Sequence, residues 1–364
     1  MLPIPSTDRQ TTMSQHNMAQ RDIILNVQNL VVQFALPEGV ITAVDGVSFT
    51  LQRGQTLGIV GESGCGKSVT ARAIMNMILP PGRIVRGSVT YSPEPGGSPI
   101  AITSLNPTSR DMRSLRWRHL AMIFQEPMTS LSPVHRIGNQ MIEALRLHLH
   151  LSPTQARKRA ISYLERVGMP HPERLLNQYR HELSGGMRQR VMIAMALCCD
   201  PHVLIADEPT TALDVTTQAQ ILTLLRELQS DLGMAVIFIT HDLGVIAEIA
   251  NSVAVMYLGK EVEIAPVDAL FYHVSHPYTQ ALLQSVTQLH ATVPRLPTVT
   301  GNVPDPYSIP QGCSFHPRCP RYVATECGTP PFVEIDPHHH VRCARIMPAP
   351  VGVAGPPSQE EAQA

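Results

Sequence analysis

No run of 18 or more uncharged apolar residues occurs in this 364-residue chain. A helix crossing a bilayer needs about 20 such residues, so no membrane span is expected. Charge of one sign is missing as well. Lys and Arg number 28 against 29 Asp and Glu, for a net charge of -1. That balance argues against a nucleic-acid binder, which carries a basic surplus. The first 20 residues, "MLPIPSTDRQTTMSQHNMAQ", lack the apolar core of a signal peptide, and the chain is expected to stay in the cytosol. Internal repeats are absent. So are the tight C-x-x-C pairs common in zinc sites, although there are seven cysteines.

What is present reads as an α/β protein. Length suggests two or three structural units, and 43% hydrophobic residues suffice for a substantial core. Residues 1–20 and the Pro- and Gly-rich end at 348–364 read as disordered. "TLGIVG" (56–61), "HVLIAD" (202–207) and "AVIFIT" (235–240) are continuous apolar runs of strand length. A helix is expected from the Gly-rich turn after the first run to about Met77, stopped by Pro80 and Pro81. Between the other two runs, Ile221, Leu224, Leu225, Leu228 and Leu232 keep helical spacing, and Gly233 closes the helix. Strand, helix, strand implies parallel pairing. Residues 137–180 instead read as a helical insert, with Ser152 as N-cap, Pro153 in the first turn and Gly168 as a stop.

"GESGCGKS" (61–68) fits G-x-x-x-x-G-K-[ST] in the required place, after a strand and before a helix. Gly61, Gly64 and Gly66 let backbone N–H groups close on phosphate oxygens, and Ser63, Cys65 and Val69 belong to the same turn. Lys67 brings a point charge to the β- and γ-phosphates. Ser68 offers a hydroxyl to Mg2+. In "VLIADEPTTALD" (203–214) an apolar strand ends in two acids, which places Asp207 to hold Mg2+ and Glu208 to polarise an attacking water. His241 ends the next strand run within reach of a γ-phosphate. Gln125 ends "LAMIFQ" and is read as a second contact to Mg2+ or to the water.

"HELSGGMRQR" (181–190) poses a separate question. Ser184 reads as a helix N-cap, and Gly185 and Gly186 bare their N–H groups, which makes a second anion cradle. One P-loop already wraps one triphosphate. A second cradle makes sense if it closes on the nucleotide of another subunit, with two such domains facing head to tail.

These elements, in this order, resemble the ATP-binding subunit of an ABC transporter, over about residues 23–345. The resemblance implies an ABC nucleotide-binding domain at 21–270, of mixed-sheet P-loop type, with a helical subdomain at about 126–186 and a small Cys-containing extension at 271–347. It implies Ser184, Gly185 and Gly186 acting in trans, Asp214 communicating across the dimer and Glu208 as catalytic. It also implies an aromatic stacking on adenine; Phe34 is the candidate, with core packing as the alternative, while Phe49 is assigned to the core.

"FQEPMTSLSPVHRIGNQM", "HPYTQALLQSV" (276–286) and "GCSFHPRCPRYVATECG" resemble the importers of dipeptides, oligopeptides and nickel. That branch implies two membrane permeases, a second ATPase pairing as a heterodimer, a substrate-binding protein outside, and a peripheral place on the cytoplasmic face of the membrane. Peptides are the leading cargo; nickel, glutathione, oligosaccharides and a non-transport ATPase are the alternatives. Cys313, Cys319, Cys327 and Cys343 match a set that carries a [4Fe–4S] cluster in some relatives, and all-thiolate ligation suits one. Zinc with His316 or His338, His339 and His340, or free structural thiols, are the other readings. Cys65, beside Lys67 at a helix N-terminus, is expected either to be a small filler or to have a lowered thiol pKa and be open to alkylation. Arg110, Arg113 and Arg116 read as one solvated helix face, and Cys198 and Cys199 as core.

Overall fold

A computed structural model of the chain describes residues 22–125, 130–211, 213–287 and 299–346. The segments expected to be disordered, 1–20 and 348–364, lie outside them, as does the expected start of the helical subdomain at 126. Two long strands open the chain, β1 (Ile23–Leu36) and β2 (Gly39–Gln52), followed by β3 (Thr56–Val60) and helix α1 (Lys67–Ile74). Strands β4 (Gly82–Tyr91) and β5 (Ile100–Ala101), helix α2 (Arg110–Arg118) and strand β6 (Leu120–Ile123) come next. A helical stretch then holds α3 (Ile137–Leu149), α4 (Pro153–Arg166), α5 (Pro172–Leu175) and α6 (Gly185–Leu197). It gives way to β7 (Val203–Asp207), α7 (Val215–Leu232), β8 (Ala235–Ile239) and α8 (Leu243–Ile249). The hairpin β9 (Ser252–Tyr257) and β10 (Lys260–Pro266) leads to α9 (Val267–Tyr272) and α10 (Pro277–Thr287), and the last hairpin is β11 (Val333–Asp336) and β12 (His339–Val341).

The strands form two sheets. One is antiparallel, in the order β2-β1-β4-β5; the other runs β11-β12-β10-β9-β3-β8-β7-β6. In the larger sheet β9, β3, β8, β7 and β6 are parallel neighbours. The three apolar runs fall here, and β3, β7 and β8 are buried along their whole length. Helical crossovers cover both faces of such strands, which removes the polar alternation of a half-exposed sheet. Successive side chains still divide between the faces. Leu57, Ile59, Val203, Ile205, Ile237 and Ile239 join α1 and the antiparallel sheet in one core. Val60, Leu204, Ala206, Val236 and Phe238 join the helical stretch and the tail in the other. The α/β, mixed-sheet expectation is met.

Local signals account for the helical stretch. Ser152 and Gln155 form a reciprocal capping box at the start of α4, with Pro153 in its first turn. Ala156, Ala160, Tyr163 and Leu164 of α4 are buried together with Met141 and Leu145 of α3. Gly233 ends α7 with a left-handed φ of 62°.

Two expectations are corrected. Helix α1 ends at Ile74, short of Met77, and the stop is Asn76 rather than the proline pair. Asn76 takes φ 50°, and its amide donates to the carbonyls of Ile102 and Leu105. Arg110 and Arg113 are exposed as expected, but Arg116 turns inward. It donates to the carbonyls of Met75, Asn76 and Pro107 at 3.0, 2.6 and 3.0 Å. The backbone leaves helical geometry at Arg116 and Trp117, so the three-residue repeat does not hold one face.

Buried carboxylates fasten the end of the chain to β10. Glu263 accepts the backbone N–H groups of Ser275 and His276 and pairs with His339 at 2.8 Å. Glu261 pairs with Arg342 at 2.8 Å, and burial pushes its carboxyl up to about 7 despite that guanidinium. An unfolded Glu titrates near about 4.3. The folded state therefore holds a proton that the unfolded state has released, and stability from this group is full below the unfolded value and lost as pH rises towards 7. Wild type should lose stability relative to Glu261→Gln as pH rises from about 5 to 8, read as urea midpoints; parallel pH curves would reject the assignment.

Candidate active site

The P-loop leaves β3 and enters α1. Gly66 stands at the helix N-cap with φ 101°, and a Cβ there would lie 2.3 Å from the carbonyl oxygen of Ala43. At Gly61, φ 151°, a Cβ would lie 2.2 Å from the carbonyl of Met256. No larger side chain fits either place. Lys67 is buried, and its ammonium donates to the carbonyls of Gly61 and Glu62 at 2.7 and 3.0 Å. Ser63 and Gly64 are exposed at the turn, and Val69 is half-buried. Ser68 donates to Asp207 at 3.0 Å, joining the start of α1 to the end of β7. Asp207 is 1% exposed. Burial raises its carboxyl pKa, against the Ser68 hydrogen bond, and neighbouring Glu208 adds to the rise. The Ser68–Asp207 pair is the hard-oxygen set that could hold Mg2+.

Glu208 follows Asp207 with φ 47°, and its N–H donates to the carbonyl of Ile239 at the end of β8. Three side chains converge on its carboxylate. Gln125 donates at 3.1 Å, Thr211 donates at 2.9 Å, and His241 Nδ1 lies 3.5 Å away. Burial works to raise its pKa, but the Thr211 hydrogen bond, His241 and Gln125 together outweigh it and hold the carboxyl below the ordinary range. Glu208 is thus ionised at neutral pH, as a group that orients or deprotonates water must be. Sequence reading singled out Gln125, Glu208 and His241 but missed Thr211; its only signal was the hydroxyl three residues after the acid.

Other candidates are placed elsewhere. Ser184 caps α6 by accepting from the N–H of Met187 at 3.3 Å, and it is exposed with Gly185. A Cβ on Gly185 would meet nothing within 4 Å. Among the described residues no hydrogen bond joins Ser184–Gly186 to this chain's own P-loop. Asp214 is exposed and caps α7 through Thr217, whose hydrogen bonds lower its carboxyl pKa. Gln189, unread in the sequence as a site residue, is 2% exposed and donates to the carbonyl of Pro209, tying α6 to the loop after Glu208. Phe34 is half-buried on β1 opposite Gly82 of β4, where a Cβ would lie 2.5 Å from its ring; Phe49 is buried in the core.

Cys65 corrects the reactive-thiol expectation. It is 4% exposed, and burial pushes its thiol pKa up, outweighing Lys67. Cys198 and Cys199 are buried, as expected.

Two protein-family models match the chain: "ABC transporter" over residues 44–211, and "Oligopeptide/dipeptide transporter, C-terminal region" over residues 262–327. The oligopeptide transport ATP-binding protein OppD of Escherichia coli (strain K12) is 47% identical over 318 residues, 87% of this chain and 92% of that protein. The chain belongs to the ABC transporter ATP-binding family. The dipeptide transport ATP-binding protein DppD of Bacillus subtilis (strain 168) is 48% identical over 299 residues, 82% of this chain and 87% of that one. A dimeric post-hydrolysis structure of the ATP-binding cassette MJ0796, bound to ADP and Pi, aligns with TM-score 0.59 and 26% identity, over 67% of this chain and 99% of that one. This ABC ATPase is an ATP hydrolase, and its family works with ATP and Mg2+.

The tail of this ABC ATPase brings Cys313, Cys319, Cys327 and Cys343 to the walls of one small cavity. All are free thiols, and burial raises the pKa of Cys313, Cys319 and Cys343. Yet among the described residues no three of His, Cys, Asp and Glu are arranged to hold a metal. The expected [4Fe–4S] ligand set therefore finds no support in this arrangement. The zinc alternatives fare no better. His316 bonds the carbonyl of Cys313, His339 is taken by Glu263, and His338 and His340 line a separate cleft with β1 and β2.

Glu208→Gln should leave Mg–ATP binding within about twofold of wild type and cut turnover by about 100-fold or more; equilibrium binding and phosphate release read the two, and unchanged turnover would remove Glu208 from catalysis.

Proposed function

We propose that this chain is the ATP-hydrolysing subunit of an importer of dipeptides or oligopeptides. The observation that carries the reading is the carboxylate of Glu208 held by Gln125, Thr211 and His241 beside the Ser68–Asp207 pair. The names of the curated relatives supply the peptide cargo.

In this reading the turn from Gly61 through Val69 wraps the triphosphate, and Lys67 moves from the Gly61 and Glu62 carbonyls onto phosphate oxygens. Ser68, Asp207 and Gln125 would hold Mg2+, which would supply charge neutralisation on the phosphates. Glu208 takes the proton of a water attacking the γ-phosphorus as the bond to the β–γ bridging oxygen breaks, and ADP and phosphate result. His241 faces the γ-phosphate, and Phe34 stacks on adenine.

Ser184 and Gly185, exposed at the start of α6, and the half-buried Gly186 close on the nucleotide of a second ATPase, with Asp214 at the same junction. That second subunit is a different chain, and the pair sits beneath two permeases on the cytoplasmic face of the membrane, fed by a substrate-binding protein. No helix among the described residues is long and apolar enough to cross a membrane, which suits a peripheral subunit. A mostly apolar cleft of about 160 Å³, lined by Met77, Trp117, Phe124, Leu131, Met192 and Met195, is where a permease's cytoplasmic helix would dock.

The iron–sulfur reading rests on the resemblance and on four thiols sharing one cavity, and the lack of a ligating trio weighs against it. Iron analysis of anaerobically purified chain decides: about four irons per chain would support a cluster, and none would end the reading.

A tagged chain drawn from its native membranes in mild detergent should bring two permeases and a non-identical ATPase. In the purified complex Ser184→Ala should slow hydrolysis while this chain's own nucleotide affinity is unchanged. Recovery of the chain alone would count against the importer, and loss of its own ATP binding against action in trans.

A further inference from the structure

The far end of the chain grips the P-loop. Glu62 is the first residue after Gly61. Its N–H donates to the hydroxyl of Tyr278 at 2.9 Å. Its carboxylate receives both terminal nitrogens of Arg318, at 2.6 and 2.9 Å. Its carbonyl receives Lys67 at 3.0 Å. One residue thus links the ammonium meant for the phosphates to two side chains more than two hundred positions away.

Those two side chains are themselves held. Tyr278 is fully buried, with ring centroids 4.7 Å from Tyr257 and 5.4 Å from Phe315. The Arg318 side chain is 3% exposed and lies over the Tyr257 ring. It also donates to the carbonyls of Thr300 and Val299. A planar guanidinium fixed in this way offers its carboxylate partner one orientation. The loop it meets has positive φ at Gly61, Gly64 and Gly66, a backbone that loses much conformational freedom when it orders. Ordering it before ligand arrives removes that cost from binding.

We infer that Arg318 and Tyr278 are positioning residues for the P-loop: by holding Glu62 they preset the Lys67-bearing turn, so that the C-terminal region sets this chain's affinity for nucleotide. The inference rests on the reading that the P-loop receives ATP. It assigns the tail a task at the nucleotide site itself. Cys319 follows Arg318 directly and lines the four-thiol cavity, so whatever happens at those thiols lies one residue from the clamp.

The test uses the full chain and the Mg2+ complex of a non-hydrolysable ATP analogue, with dissociation constants from calorimetry. Tyr278→Phe keeps the buried ring and deletes only the hydroxyl. Glu62→Gln, Arg318→Met and their double variant break the ion pair. Tyr278→Phe and each ion-pair single should weaken binding by about fivefold or more, and the double should be no weaker than the worse single. Thermal midpoints without nucleotide separate folding from affinity: Tyr278→Phe should lose affinity with its midpoint retained. Affinities within twofold of wild type, or losses that multiply in the double variant, would overturn the inference and leave the clamp as a fastener. A wild-type chain that binds no analogue would instead overturn the nucleotide reading beneath it.

Discussion

Parallel pairing of β3, β8, β7 and β6 puts the carboxyl ends of four strands on one edge of the sheet, and the candidate site is assembled there. The P-loop leaves β3, Asp207 and Glu208 end β7, His241 lies just beyond β8, and Gln125 lies just beyond β6. Apart from the adjacent Asp207 and Glu208, none of these groups is brought together by nearness in sequence. The crossover helices force the strands to run one way, and strands that run one way deliver their ends to one place. Burial of both faces makes the arrangement rigid. A buried, pre-oriented carboxylate is worth having only on such a scaffold, because a shift of about 1 Å in it would be felt in rate.

The same edge explains why one cradle is inside the site and the other is not. In the P-loop, Gly61 and Gly66 are pressed against the carbonyls of Met256 and Ala43, while Gly64 in the turn between them is open. Gly185 meets nothing, and Ser184 caps a helix whose start faces solvent. Gln189 ties that helix back to the loop after Glu208.

Two devices at the tail differ in kind. The Glu263 carboxylate, held by two backbone donors and by His339, fixes the last described hairpin onto β10. Arg318 and Tyr278 instead spend buried polar groups on a loop that must accept a ligand. A buried ion pair is a weak device for stability alone, since desolvation offsets most of the attraction. Its placement on the P-loop is better understood through orientation.

Sequence by itself determined the local pieces: the buried strand runs, the N-cap at Ser152, the closing Gly233, the P-loop and the order of its companion motifs. Each depends on near neighbours in the chain, on periodicity, caps and the steric freedom of glycine, and so could be read one segment at a time. Tertiary structure decided what depends on distant partners. It turned Arg116 onto the carbonyls after α1, buried Cys65 so that its thiol pKa rose, and brought Gln125 and His241 to Glu208. It gathered four tail cysteines at one cavity without making a ligand trio, and it set Arg318 on Glu62. Burial and partner identity come from packing between segments far apart in the chain, and no local pattern encodes them.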